Sequence, residues 1–289
     1  MKKLILILAG LGLFLFNSQV TEAQIETRGV YERETIANRK PVPLPHLREA
    51  DIAWSKTIWR MIDLREKMNH PLYYPTEPMG SRMSLIDVLM HHIEEGNLTV
   101  YDDGDFRQEL DIEEIQHRFD AETRIEMVED VDTGEMIETE VPGTVRSSEV
   151  KQYLLVEQWY FDRRHSRFQV RVIGFCPIRV YTREIEEAEI DQLDFDDMET
   201  LRRQLFWVYY PEARDMLARY EVYTPFNDIA SLSFDDLFVQ RRFASYIYQE
   251  SNVYDNRAIS EYAVGLEIQY ESERIKEMLF NWEQDLWEY

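Results

Sequence analysis

Two neighbouring runs, Tyr153 to Phe161 and Phe168 to Tyr181, are dense in Val, Ile, Phe, Tyr and Trp. Only Asp162-Arg163-Arg164-His165-Ser166-Arg167 separates them. β-branched and aromatic side chains fit a pleated, packed surface, and a short polar connection between two such runs reads as a strand pair. Whatever the chain folds into must be built on that pair. Pro177, inside the second run, lacks the amide donor that an interior ladder position uses, so an edge or a bulge is expected there.

Around this pair the patterning changes period. Leu47 to Met68 is predicted as a helix, because Trp54, Ile58, Met61 and Ile62 recur at three- and four-residue spacing and Trp59 widens the stripe. Ser84 to Glu95 is a second helix, with Ser84 as N-cap, Asp87 three residues on and Gly96 as the stop. Leu98 to Tyr101 is a short strand. Thr123 to Val141 alternates about Asp132-Thr133-Gly134 and reads as an acidic hairpin. Residues 184–199 are acidic with little pattern. Leu205 to Tyr210 is a strand candidate ended by Pro211, and Asp215 to Tyr223 fits helix or strand. Ser233-Phe234-Asp235-Asp236 opens a helix carrying Leu237, Phe238, Phe243 and Ile247. Residues 257–289 are mostly helical, with Ile275, Leu279, Trp282 and Leu286 in one stripe. Helices, then strands, then helices favour α+β over alternating βαβ units: helices flanking a central antiparallel sheet.

The ends are different in kind. Met1-Lys2-Lys3, the apolar run Leu4 to Phe16 and Thr21-Glu22-Ala23 form the three parts of a secretory signal peptide, with cleavage expected between Ala23 and Gln24. The run is about two-thirds of the ~20 residues that span a bilayer, and no other segment resembles a span, so no direct membrane insertion is expected. Residues 24–46 read as an extended arm in which Pro41, Pro43 and Pro45 alternate. Residues 47–289 form a single α+β domain.

Charge narrows the partners. Fifty-six Asp and Glu face 32 Lys and Arg, a net charge of −24 over 289 residues, and loss of 1–23 makes it one unit more negative. Nucleic-acid affinity comes largely from cations on phosphate, so no nucleic acid is expected as partner. The one cysteine, Cys176, excludes an internal disulfide and any Cys-rich metal centre.

No motif for chemistry emerges. The six histidines include no i, i+4 pair, and His91-His92 point to different faces of a helix. Asp102, Asp103 and Asp105 lack calcium-loop spacing. There is no nucleophile elbow and no Gly-rich phosphate loop. Neither enzyme activity nor a cofactor or metal is therefore expected. What remains is contact-forming material: Trp54 and Trp59, Trp282 and Trp287, the arm prolines Pro41, Pro43 and Pro45, and the basic dipeptides Arg163-Arg164, Arg202-Arg203 and Arg241-Arg242.

Several blocks carry a resemblance. Pro43-Leu44-Pro45-His46-Leu47-Arg48-Glu49-Ala50-Asp51-Ile52-Ala53-Trp54-Ser55-Lys56, continuing through Trp59 to Pro75, resembles the N-terminal block of the gliding-motility GldN (PorN) family. Glu157 to Asp162, Arg171 to Ile178 and Leu205 to Pro211 resemble its central strands, and Phe234 to Phe238 its later helix. The resemblance implies a non-enzymatic periplasmic component of the type IX secretion system. It implies co-assembly with a GldK/PorK-type outer-membrane lipoprotein and neighbouring copies of itself into a ring, joined to a GldM/PorM-type motor protein. Association with the outer membrane would then run through the lipoprotein. A periplasmic acidic hydrolase and a soluble binding or chaperone module are the alternatives from other classes.

Overall fold

The structure, a computed structural model, describes residues 38–79, 82–121, 145–182, 200–224 and 232–285, and the backbone of 124–129 and 136–141. They belong to one compact unit, Ile36–Tyr289. The expected signal peptide and its Ala23/Gln24 junction lie outside the described residues, as do Leu286 and Trp287.

The strands are β1 (Ile52–Asp63), β2 (Val100–Tyr101), β3 (Arg124–Glu129), β4 (Met136–Val141), β5 (Val150–Asp162), β6 (Arg167–Thr182), β7 (Thr200–Gln204), β8 (Trp207–Tyr209), β9 (Glu221–Val222), β10 (Leu232–Ser233) and β11 (Tyr246–Glu250). The helices are α1 (His70–Tyr73), α2 (Leu85–Glu94), α3 (Ile112–Arg118), α4 (Tyr210–Leu217), α5 (Phe234–Val239) and α6 (Leu266–Asp285). The central sheet runs β11-β1-β5-β6-β8-β2, with β7 also on β6, and every pairing is antiparallel. The α+β expectation holds. The pair β5–β6 stands at its centre, and β3–β4 forms the expected acidic hairpin as a separate two-stranded sheet.

The first helix does not exist. Residues 52–63 are β1, paired along their length with β5 and on the other side with β11. The three- and four-residue spacing was met by coincidence: an interior strand buries both faces, so its apolar residues show no clean alternation. Composition favoured the strand, since Ile52, Trp54, Thr57, Ile58, Trp59 and Ile62 are the aromatic and β-branched types that suit a sheet. Trp54 and Trp59, five apart, consequently face opposite sides. β11 is the second correction. Ile247 belongs to this edge strand, and α5 stops at Val239 well before it.

Pro177 also lies elsewhere than expected. β6 is interior, but its partner changes at this point, from β8 at Gly174 and Phe175 to β7 at Ile178–Thr182. The Pro177 carbonyl accepts from the Leu205 amide at 3.0 Å in the gap between them. Gly174 is required nearby: a Cβ there would stand 2.4 Å from the Phe106 ring and 2.6 Å from the Val208 carbonyl.

Three apolar clusters hold the layers. On one face Ile62, Tyr153, Leu155 and Phe175 pack with α2, α4 and α5. Further along, Ile58 and Ile247 meet Ile275 and Leu279 of α6. The opposite face gathers Met61, Leu154, Val156, Cys176, Ile178 and Trp207. Helix ends follow the sequence. The Ser84 hydroxyl accepts from the Asp87 amide at 3.2 Å, and Gly96 adopts φ 71 just past α2. Ser233 and Asp236 form a reciprocal capping box that opens α5.

Candidate partner-binding surface

Residues 167–173 of β6 pair with β5 alone, so among the described residues the sheet is open there on its other side. The arm, residues 39–46, lies beside this stretch on its own domain. Arg214 Nη2 donates to the Val42 carbonyl at 2.7 Å, Arg171 Nη2 to the Pro45 carbonyl, and Arg164 Nη2 to the His46 carbonyl at 2.9 Å. Arg39 Nη2 meets Asp236 Oδ2 at 2.7 Å. The alternation of prolines explains this mode of attachment. Proline removes backbone donors and keeps the chain extended, so the arm offers chiefly carbonyls, and the guanidinium fork supplies the missing donors. Leu44 lines a small pocket together with Val170, Val172, Tyr210 and Phe238.

The strongest clamp is itself fixed. Arg214 donates through Nε to Asp235 Oδ1 at 2.9 Å and through Nη2 to Oδ2 at 3.1 Å, while the Tyr210 hydroxyl donates to Oδ1 at 2.6 Å. Arg214 and Asp235 are both buried. A bidentate guanidinium–carboxylate pair has both charge and direction satisfied. Burial, and then the adjacent Asp235 carboxylate, push the Tyr210 hydroxyl's pKa far up, so it stays a donor.

At the other end of the arm, the β5–β6 turn is held by acids. Asp162 accepts from His165 Nδ1 at 2.7 Å and from the Arg164 amide at 2.8 Å. The bond from His165 foremost, then the Arg164 amide and the Arg164 charge, hold its pKa down at about 2. Asp51 accepts from Arg48 Nε at 2.9 Å, which lowers its pKa, and Arg164 Nε lies 3.3 Å away.

Beside the turn is an aromatic cluster. Trp54 stacks on Trp282 with ring centroids 5.5 Å apart and packs on Phe168 at 5.1 Å, and Trp159 and Phe161 complete it around Phe168. Trp282 nonetheless remains 47 % exposed, and Val42 and Leu44 of the arm are 66 % and 40 % exposed. The surface thus presents large apolar groups on a backbone pinned from beneath. Of the contact residues expected from sequence, the structure joins Trp54 with Trp282. It sets Pro41 half-buried and Pro43 and Pro45 exposed along the arm. It leaves Trp59 apart, on the opposite face near the Met61 cluster. Trp287 lies outside the described residues. The clamp residues Arg171 and Arg214 were missed. Isolated arginines carry no pattern, and the signal that pointed to them was the run of donor-poor prolines they serve.

Among the described residues no group of three or more His, Cys, Asp or Glu is placed to hold a metal ion, and no helix is long and apolar enough to cross a membrane. Burial pushes the Cys176 thiol up to about 12, far from the thiolate a nucleophile needs.

Residues 47–288 match the family described as gliding motility associated protein GldN. The chain belongs to the GldN family. No curated protein matches it. The GldN match takes in the whole sheet, the Arg164, Arg171 and Arg214 clamp and the aromatic cluster, and begins one residue after His46, where the clamped arm ends.

Proposed function

We propose that this GldN-family chain is a non-enzymatic structural subunit of the type IX secretion system. It would work in the periplasm, in a ring built with a GldK/PorK-type outer-membrane lipoprotein and coupled to a GldM/PorM-type motor protein, in support of protein export and gliding motility. The observation that carries this reading is the pinned apolar surface of arm and Trp54–Trp282 stack. Large aromatics and prolines displayed on fixed backbone suit a permanent subunit contact, because little freedom is lost on association. Head-to-tail contacts related by a rotation that closes generate rings. With net charge −24, self-association alone is opposed by repulsion, so the partner subunit is needed for closure.

The test is co-purification of the lipoprotein with the native chain and with Trp282→Ala, followed by imaging. Retention and rings with the native chain, and loss of both with a folded Trp282→Ala, are expected. A chain that remains solitary in the envelope would sink the proposal.

A further inference from the structure

An open cavity of about 390 Å3 lies where β11 meets α6, lined by Arg60, Met68, Arg241, Phe243, Ser245 and Lys276. On its inner side is Glu157, with no exposed surface. Arg241 Nη1 donates to Glu157 Oε1 at 2.5 Å, and Trp159 Nε1 donates to Oε2 at 3.1 Å. Arg60 Nε stands 3.2 Å from Oε2, outside hydrogen-bonding geometry, while its Nη1 donates to the Ser245 hydroxyl at 2.9 Å. Two guanidiniums therefore share one carboxylate, and the group holds one positive charge in excess. Arg60 is only 8 % exposed, and burial, aided by the charge of Arg241, lowers its pKa. An uncompensated charge in such a place is unfavourable unless something anionic joins it.

The backbone makes the same point. The Arg241 amide bonds the Phe238 carbonyl and the Arg242 amide the Leu237 carbonyl, the paired bonds that close a helix through a left-handed residue. Arg241 has φ 54 there, a conformation glycine adopts without strain. An arginine in this left-handed conformation, one of several non-glycine residues that adopt it here, is consistent with a use for its side chain. That side chain lies over the Trp159 and Phe243 rings at 5.3 and 5.6 Å, which aims it along the cavity wall. Lys276 adds a further cation, paired with Glu273 at 3.1 Å, and Glu66 is the acid at the exposed rim.

We propose that this cavity receives an acidic side chain from another polypeptide. The positive floor suits a carboxylate, the volume exceeds that of a carboxylate alone, and the exposed Met68 and Tyr246 at the rim give a flanking peptide an apolar seat. The site stands whether or not the chain joins a secretion ring.

Calorimetric titration of the purified protein tests it, with a blocked pentapeptide carrying one central Glu, its Gln counterpart, glutarate and inorganic phosphate as probes. The Glu peptide is expected to bind about tenfold or more tighter than the Gln peptide, and Arg241→Gln to weaken it about tenfold while the melting temperature stays unchanged. Absent binding, equal binding of the two peptides, or tighter binding of phosphate or glutarate than of the Glu peptide overturns the proposal. If Arg241→Gln does not fold, Lys276→Gln on exposed helix surface decides. An affinity loss of about threefold supports the site, and unchanged affinity overturns it.

Discussion

Two buried carboxylates in this molecule meet arginine in opposite ways. Asp235 faces one guanidinium, is gripped through both oxygens, and takes a third bond from Tyr210. Glu157 faces two guanidiniums, one misaligned and the other reaching from a left-handed backbone position. The first is balanced and closed, and a further donor of its guanidinium, on Nη2, reaches the Val42 carbonyl of the arm. The second is unbalanced and opens on a cavity. A matched buried pair tells of architecture, whereas a mismatched one marks a place where another charge belongs.

Removing each carboxylate breaks both arrangements and should produce the largest effects. Asp235→Ala strands Arg214 in the interior and is expected to cost about 3–5 kcal/mol in urea denaturation. Glu157→Ala strands two cations and should cost at least as much. If it cost less than about 1 kcal/mol, the cavity would already be solvating its arginines, and the idea of a buried surplus charge would fail.

Removing the arginines should then separate the two sites. Arg214→Gln leaves Asp235 underpaired and releases the arm, a loss of about 3 kcal/mol or more by the same reasoning. Limited proteolysis should find residues 39–46 newly cleavable. Arg241→Gln keeps the Arg60–Glu157 pair, removes the surplus charge and leaves an amide to donate, so stability is expected within about 1 kcal/mol of the native value. Equal losses at the two positions, measured in one denaturation series, would erase the distinction between clamp and pocket.

How far the sequence foretold this depends on how local each signal is. The β5–β6 pair, the capped helices α2 and α5 and the stripe Ile275, Leu279, Trp282 were legible because turn chemistry, caps and helical period act within a few residues. β1 was misread because its identity as a strand is settled by β5 and β11, one of them nearly two hundred residues away. The site was legible in kind but not in assembly. Trp54 and Trp282 stood out as large aromatics, but only the folded sheet stacks them. The dipeptide Arg241-Arg242 stood out as a basic spot, but the two residues part company. Arg241 turns in toward Glu157, which no local pattern links to it.

The smallest expected effect sharpens the comparison with a third arrangement, in which the carboxylate is buried and its cationic partners lie at the surface. Asp162 at the β5–β6 turn is held by His165, the Arg164 amide and the Arg164 charge, with a folded pKa of about 2 against roughly 4 in an unfolded chain. A carboxyl whose pKa is depressed by folding stabilises fully above the unfolded value, and that contribution is lost as the pH falls from about 4 toward 2. Asp162→Asn should therefore flatten the acid limb of the stability curve in that window and leave its shape near neutrality unchanged. Because Arg164 also reaches the His46 carbonyl, the same substitution should raise the rate of proteolytic cleavage at the His46 end of the arm more than at the Val42 end, where Arg214 and Asp235 still hold. Cleavage that rises equally at both ends would mean that the arm is released as one unit, and that the balanced clamp has no separate role in holding it.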